Sequence, residues 1–302
     1  MSSIPPPSRD PRGPLPPRPE LPEGVSRPEP PPEPPSGDGL SWARRVPLWA
    51  PFAVAFAAFV LASIAYAVIV GAAGLSADEA DEVPGPVLGA TFVQDALLIG
   101  GAVILVQLAV KTGTAASLGL RRTRLWPAIG WGAAVMATYW LTSGLLVAIF
   151  GEPPEQDITE EIKSENGALA LAGWVAITCV MAPLAEEVFF RGLLFPVLRS
   201  RFGVAWGVIV TGALFALVHA LGSPTEALIV LFVLGSGLCL LYLRTGSLIP
   251  CIGLHALNNA ISFAATKEMA WPVAVLTVVG SVVVTVSIGL AFARPRPQPA
   301  VV

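Results

Sequence analysis

Apolar and polar positions divide the chain into a polar, proline-punctuated start and a succession of long apolar runs. From about Val46 these runs reach or approach the roughly 20 residues a helix needs to cross about 30 Å of hydrocarbon. Eight spans are predicted, at about 48–74, 87–110, 125–150, 168–198, 204–221, 226–244, 247–265 and 272–293. The fifth to seventh are short, separated by little more than Gly222-Ser223-Pro224 and Thr245-Gly246. The predicted fold class is all-α: a polytopic membrane protein with about eight transmembrane helices.

Composition agrees. Of 302 residues, 54% are hydrophobic and 13% charged, and the mean hydropathy is +0.70, which excludes an ordinary soluble domain. The bilayer is the expected surrounding and nucleic acid is not an expected partner. Cys179, Cys239 and Cys251 all lie in apolar runs, where a thiol packs as a small hydrophobe. The first 40 residues hold 15 of the 30 prolines and almost nothing to bury, so a disordered or polyproline-II tail is expected. A solvated linker is the favoured reading, and a cytoplasmic partner with an aromatic groove is the other. The segment does not read as a signal peptide, since no apolar run with a cleavage site follows it closely.

Charge orients the bundle. Arg44 and Arg45 precede the first span, Lys111, Arg121, Arg122 and Arg124 separate the second and third, Arg199 and Arg201 follow the fourth, Arg244 follows the sixth, and Arg294 and Arg296 follow the eighth. With the four tail arginines, 15 of 18 basic residues fall on one side. The other side has Lys163 and Lys267 beside the acidic runs Asp78-Glu79-Ala80-Asp81-Glu82 and Glu160-Glu161. The positive-inside rule puts both termini in the cytoplasm.

Ionisable residues inside spans cost a few kcal/mol each, so they are functional candidates by default. The only two histidines, His219 and His255, and the run Glu186-Glu187-Val188-Phe189-Phe190-Arg191 all lie in apolar stretches. Four-residue spacing lets Glu187 pair with Arg191, places Asn259 on the His255 face, and sets Phe215 one turn from His219. Glu186, rotated by about 100°, can face another helix. Two imidazoles and a carboxylate are the ligand set of a hydrolytic Zn2+ site with an open position for water. Without metal, Glu186 and His219 could activate water while His255 and Asn259 donate to an oxyanion. Both versions hydrolyse an acyl bond.

At these residues the chain resembles the CAAX protease and bacteriocin-processing (CPBP, or Abi) family, related to the type II CAAX prenyl endopeptidase. Glu-Glu-x-x-x-Arg is met by Glu186, Glu187 and Arg191, Phe-x-x-x-His by Phe215 and His219, and His-x-x-x-Asn by His255 and Asn259. The resemblance covers about residues 168–265. It implies an intramembrane endopeptidase acting on a membrane-embedded or lipidated protein, with its cavity among the fourth, fifth and seventh spans. Carried over, Glu186 and His219 activate water, His255 and Asn259 serve the oxyanion or a second ligand position, and Glu187 with Arg191 forms the scaffold. The metal-assisted form, with Zn2+ on Glu186, His219 and His255, is the favoured version. The organisation expected is a Pro-rich cytoplasmic tail at 1–45, three N-terminal helices at 46–150, a protease core at 151–295 and a short tail at 296–302, in a bacterial cell membrane.

Depth sets a condition. At 1.5 Å per residue His255 lies about 10 Å from the cytoplasmic start of its span, Glu186 about 20 Å from Arg199 and His219 about 25 Å from Arg201. Convergence requires the junction of the fourth and fifth spans to project beyond the others, and Pro183 is expected to bend the fourth. Gln94, Asp95, Glu226 and Asn258 are assigned to interhelical hydrogen bonds or helix ends, and Gly235-Ser236-Gly237 to close packing. A rhomboid-like use of that serine would leave the two glutamates unexplained. A transporter, or a catalytically silent immunity, scaffold or partner protein, is the alternative to an enzyme.

Overall fold

The computed structural model describes residues 40–81, 83–110, 113–154 and 156–294. Most of the expected Pro-rich tail, the C-terminal tail, Lys111 and Arg296 lie outside the described residues. Among the described residues seven helices are long and apolar enough to cross a membrane: α1 (Ala50–Ala73), α2 (Gly85–Ala109), α3 (Leu125–Phe150), α4 (Ala168–Leu217), α5 (Thr225–Thr245), α6 (Leu248–Thr266) and α7 (Trp271–Ala291). Among the described residues no named strand occurs, and Arg121 and Arg294 form an isolated β-bridge.

The difference between seven helices and eight predicted spans lies in α4. A straight helix of its 50 residues would be about 75 Å long. The run is interrupted at Gly203, which takes φ 80° and ψ 178°, a region open essentially to glycine alone. Beyond it the chain doubles back: a Cβ on Gly207 would lie 3.1 Å from the Arg199 Cα, whereas eight residues of straight helix would separate the two by about 12 Å. The two arms of α4 are the fourth and fifth predicted spans.

The first arm is not a regular α-helix. Ala176–Met181 and Glu187–Leu194 are π-helical, a form often found at functional sites. The expected bend at Pro183 therefore takes the form of a change of helical register. Ala182 N–H donates to Ile177 O in the π register, so the next donor in line would be residue 183. Proline has no N–H, and the Thr178 carbonyl is left for another donor.

Arm length supplies the projection that convergence requires. Gly192 packs against Leu248, the first residue of α6, and the 11 residues from there to Gly203 extend about 16 Å further. The projecting part is held by the segment before α1. Leu40, Trp42, Ala43 and Val46 are buried, and Arg201 donates to the carbonyls of Ala43, Arg44 and Val46. Among the described residues this packing includes Leu40, because these apolar side chains have core to fill.

α6 is central: 61% of its most apolar window is buried, against 11% for α1. Small residues allow close approach around it. A Cβ on Gly235 would lie 3.1 Å from the Gly212 Cα, and one on Gly237 2.7 Å from Val135. The Gly235-Ser236-Gly237 run thus packs α5 against both the second arm of α4 and α3. Outward faces carry exposed Phe56, Phe59, Trp126, Leu141, Leu169 and Leu276, the surface expected against lipid. Between α1 and α2, Ser76 and Glu79 form a reciprocal capping box on the short helix Ala77–Asp81. The Ser76 backbone N–H and hydroxyl hold the Glu79 carboxyl below its ordinary range.

Candidate functional site

The site is built where the first arm of α4, the end of its second arm and the middle of α6 meet. Glu187 and Arg191 are fully buried and paired: Arg191 Nη1 donates to Glu187 Oε1 at 2.6 Å. Their four-residue spacing predicts this contact. A buried charge of this kind is tolerated only with further partners, and Arg191 has them. Arg191 Nη2 donates to Gly235 O at 2.8 Å, and its guanidinium carbon stands 4.6 Å from the Phe215 ring centroid. Cys239 and Cys251 are buried and unlinked, as packing residues should be.

The second partner of Glu187 Oε1 is His255 Nδ1, at 2.9 Å. An ionised carboxylate only accepts, so Nδ1 carries the hydrogen. Fixing that side of the ring directs Nε2 toward Glu186 Oε2, 3.9 Å away. That separation is too long for a direct hydrogen bond. Glu186 keeps 17% of its side-chain surface exposed, whereas His255 keeps 4%. Arg191, Glu187, His255 and Glu186 thus form a line running from packed interior toward a partly exposed side chain.

Phe215 is the apolar centre of this set. Its fully buried ring stands edge-on to His255, with centroids 5.7 Å apart, and tilted against His219 at 5.3 Å. His219 lies just past the end of α4, in the turn leading to Pro224 rather than within the helix as predicted. Its Nδ1 is 2.8 Å from Phe215 O. Because that oxygen accepts, Nδ1 donates and Nε2 is left with a lone pair or a second proton. His219 and Glu186 both border the site but form no ion pair within 4.0 Å.

Asn259 shares the His255 face of α6, yet its Nδ2 donates to Thr178 O at 2.9 Å. This is the carbonyl that Pro183 leaves without its π-register donor. One of the two amide hydrogens therefore closes a gap in the backbone of α4, and the other remains for use in the site.

Among the described residues no group of three or more His, Cys, Asp or Glu side chains converges at metal-binding spacing. Glu186 and His255 face each other, but His219 does not join them. The three-ligand protein set of a hydrolytic zinc site does not fit the side chains as placed.

Other polar residues resolve in detail. Glu226 lies in the first turn of α5, Asn258 is buried opposite Tyr139, and Gln94 faces α1 beside Phe59 and Tyr66. Ser236 Oγ makes no hydrogen bond, so no Ser236–His255 dyad is formed. Asp95 is the residue whose surroundings the sequence did not reveal. It is 2% exposed in the middle of α2, and that helix packs on the turn that ends in Glu186. The available signal was its ionisable side chain inside an apolar span.

Residues 168–261 match the family described as Rce1-like, type II CAAX prenyl endopeptidase. The matched stretch contains every motif residue from Glu186 to Asn259. A protein of Escherichia coli, described as an uncharacterized 24.3 kDa protein, is 28% identical over 129 residues, covering 42% of this chain and 59% of that protein. The chain thus spans less than two thirds of this relative's length. No solved structure matches. The likeness to CAAX proteases drawn from the three motifs holds over the matched segment, in an all-α integral membrane protein.

Proposed function

We propose that this protein is an intramembrane endopeptidase that hydrolyses a peptide bond in a membrane-associated protein, with Glu186 as the base that activates water. The observation that carries the reading is the buried Arg191–Glu187–His255 chain, which holds His255 Nε2 opposite Glu186 Oε2 inside the segment that matches the CAAX endopeptidase family.

The steps follow from the side chains. Glu186 accepts a proton from water as the oxygen attacks the scissile carbonyl carbon, and later returns that proton to the leaving amine. When Nε2 carries a proton, His255 donates from it to the developing oxyanion while Glu187 keeps Nδ1–H. The uncommitted amide hydrogen of Asn259 is a second donor on the same helix face. His219, with Nδ1–H tied to Phe215 O, offers Nε2 to water or to the leaving group. No step requires a metal.

The substrate class is a lipidated C-terminal tail or a segment of a membrane protein, since Glu186, His255 and Asn259 lie on membrane-spanning helices. The basic loops support cytoplasmic termini. Comparing membrane-protein C-termini in cells carrying wild type or Glu186→Gln tests the reading. Wild type should generate shortened termini that the variant does not. Identical termini in both would favour a catalytically silent partner protein.

A further inference from the structure

We propose that Asp95 is a positioning residue of the same hydrolytic site, holding from α2 the water that Glu186 activates. The inference rests on the endopeptidase reading above and adds to it a residue outside the three motifs and outside the matched segment.

Asp95 is ionisable, 2% exposed and set 11 residues into a 25-residue apolar helix. Such a side chain is costly unless it is partnered or used. No protein donor reaches its Oδ2, and none reaches Glu186 Oε2. The two are not remote from one another. The helix that carries Asp95 packs on the turn ending in Glu186. Leu98 and Ala102, on the Asp95 face of α2, are buried in one cluster with Leu184, Ala185 and Val188. The other ionisable side chains on elements packed against α2 are otherwise engaged or differently placed. Glu187 and Arg191 hold each other and His255, Cys179 lies against Thr178, and Tyr66 lines the groove between α1 and α2.

Two ionised carboxylates accept hydrogen bonds and donate none, so unless they share a proton they cannot satisfy one another directly. Water can satisfy both, because it has two hydrogens. One O–H points at Glu186 Oε2 and is the bond that breaks, its proton passing to that carboxylate. The other points at Asp95 Oδ2 and stays intact as a hydrogen bond. The water lone pairs then face away from both carboxylates and are free to attack a carbonyl carbon. Asp95 neither gains nor loses a proton in this step. Its contribution is the alignment of the attacking oxygen.

The test compares wild type, Glu186→Gln, Asp95→Asn and Asp95→Leu, purified as full chains and reconstituted in lipid vesicles, with a farnesylated CAAX peptide as the probe. Asp95→Asn keeps an acceptor oxygen and should stay within about tenfold of wild-type kcat. Asp95→Leu should lose about 100-fold in kcat at unchanged KM, the size expected for a misplaced reactant, with no fall in Tm. Asp95→Leu turning over at the wild-type rate, while Glu186→Gln is inactive, overturns the role of Asp95 and leaves the endopeptidase reading intact. So does a loss in both Asp95 variants that follows a lowered Tm, which marks a packing residue. Wild type cleaving no more probe than Glu186→Gln overturns the endopeptidase reading and the Asp95 role together.

Discussion

His255 Nδ1 donates to the same Glu187 oxygen that accepts Arg191 Nη1, so the orientation of an imidazole facing the candidate reaction centre depends on a buried ion pair. The second motif acid therefore has its own work, distinct from that of Glu186. Glu187→Gln leaves Arg191 buried without its counter-charge, which costs about 3–5 kcal/mol. Thermal unfolding in detergent should show a clearly lowered Tm and the turnover assay a loss of activity. The double variant Glu187→Gln/Arg191→Met should regain much of the Tm, because the orphaned charge is gone, without regaining activity.

Asn259 is predicted to have a structural role separable from any catalytic one. In Asn259→Ala, Thr178 O loses its donor, at a cost of about 1–3 kcal/mol for a buried unsatisfied group. Adding Pro183→Ala restores a backbone N–H at the position that π-register bonding would use. The double variant should therefore unfold at a higher temperature than Asn259→Ala alone, while its activity stays low if the second amide hydrogen serves the oxyanion. Equal melting temperatures would count against the carbonyl-capping account.

Gly203 is the point at which α4 reverses, with φ 80° and ψ 178°. Gly203→Ala should cost about 1–3 kcal/mol, the usual strain of that region for a residue with a Cβ. No neighbour crowds the position, so the loss would come from the backbone alone and should appear as a lower Tm with near-normal KM.

Much of this arrangement was legible in the sequence because the relevant signals are local. Apolar run length predicted the spans, and four-residue spacing predicted the Glu187–Arg191 contact and the shared face of His255 and Asn259. The unequal depths of Glu186 and His255 even required the extension of α4 that Gly192 and Leu248 reveal. What was not legible depends on register and on tertiary approach. Pattern alone could not show that α4 turns π-helical on either side of Pro183, or that Asn259 would cap Thr178. Nor could it show that His219 falls beyond its helix. Asp95 was assigned to interhelical hydrogen bonding or a helix end rather than to the site, because proximity to a residue 91 positions away leaves no periodic trace.

Metal removal separates the two hydrolytic chemistries. Among the described residues Glu186 and His255 face each other without a third convergent ligand, so exhaustive dialysis against a chelator should leave turnover within twofold of the untreated protein. Loss of activity on chelation, restored by Zn2+, would mean that His219 moves into the site when metal binds.

The most direct measurement is kcat for wild type and Glu186→Gln on the same membrane-reconstituted probe, with Tm recorded for both. Replacing the carboxylate by an amide of the same shape removes the base and little else, so kcat should fall by about 10²–10⁴-fold at unchanged Tm. Wild-type turnover in Glu186→Gln would contradict the account.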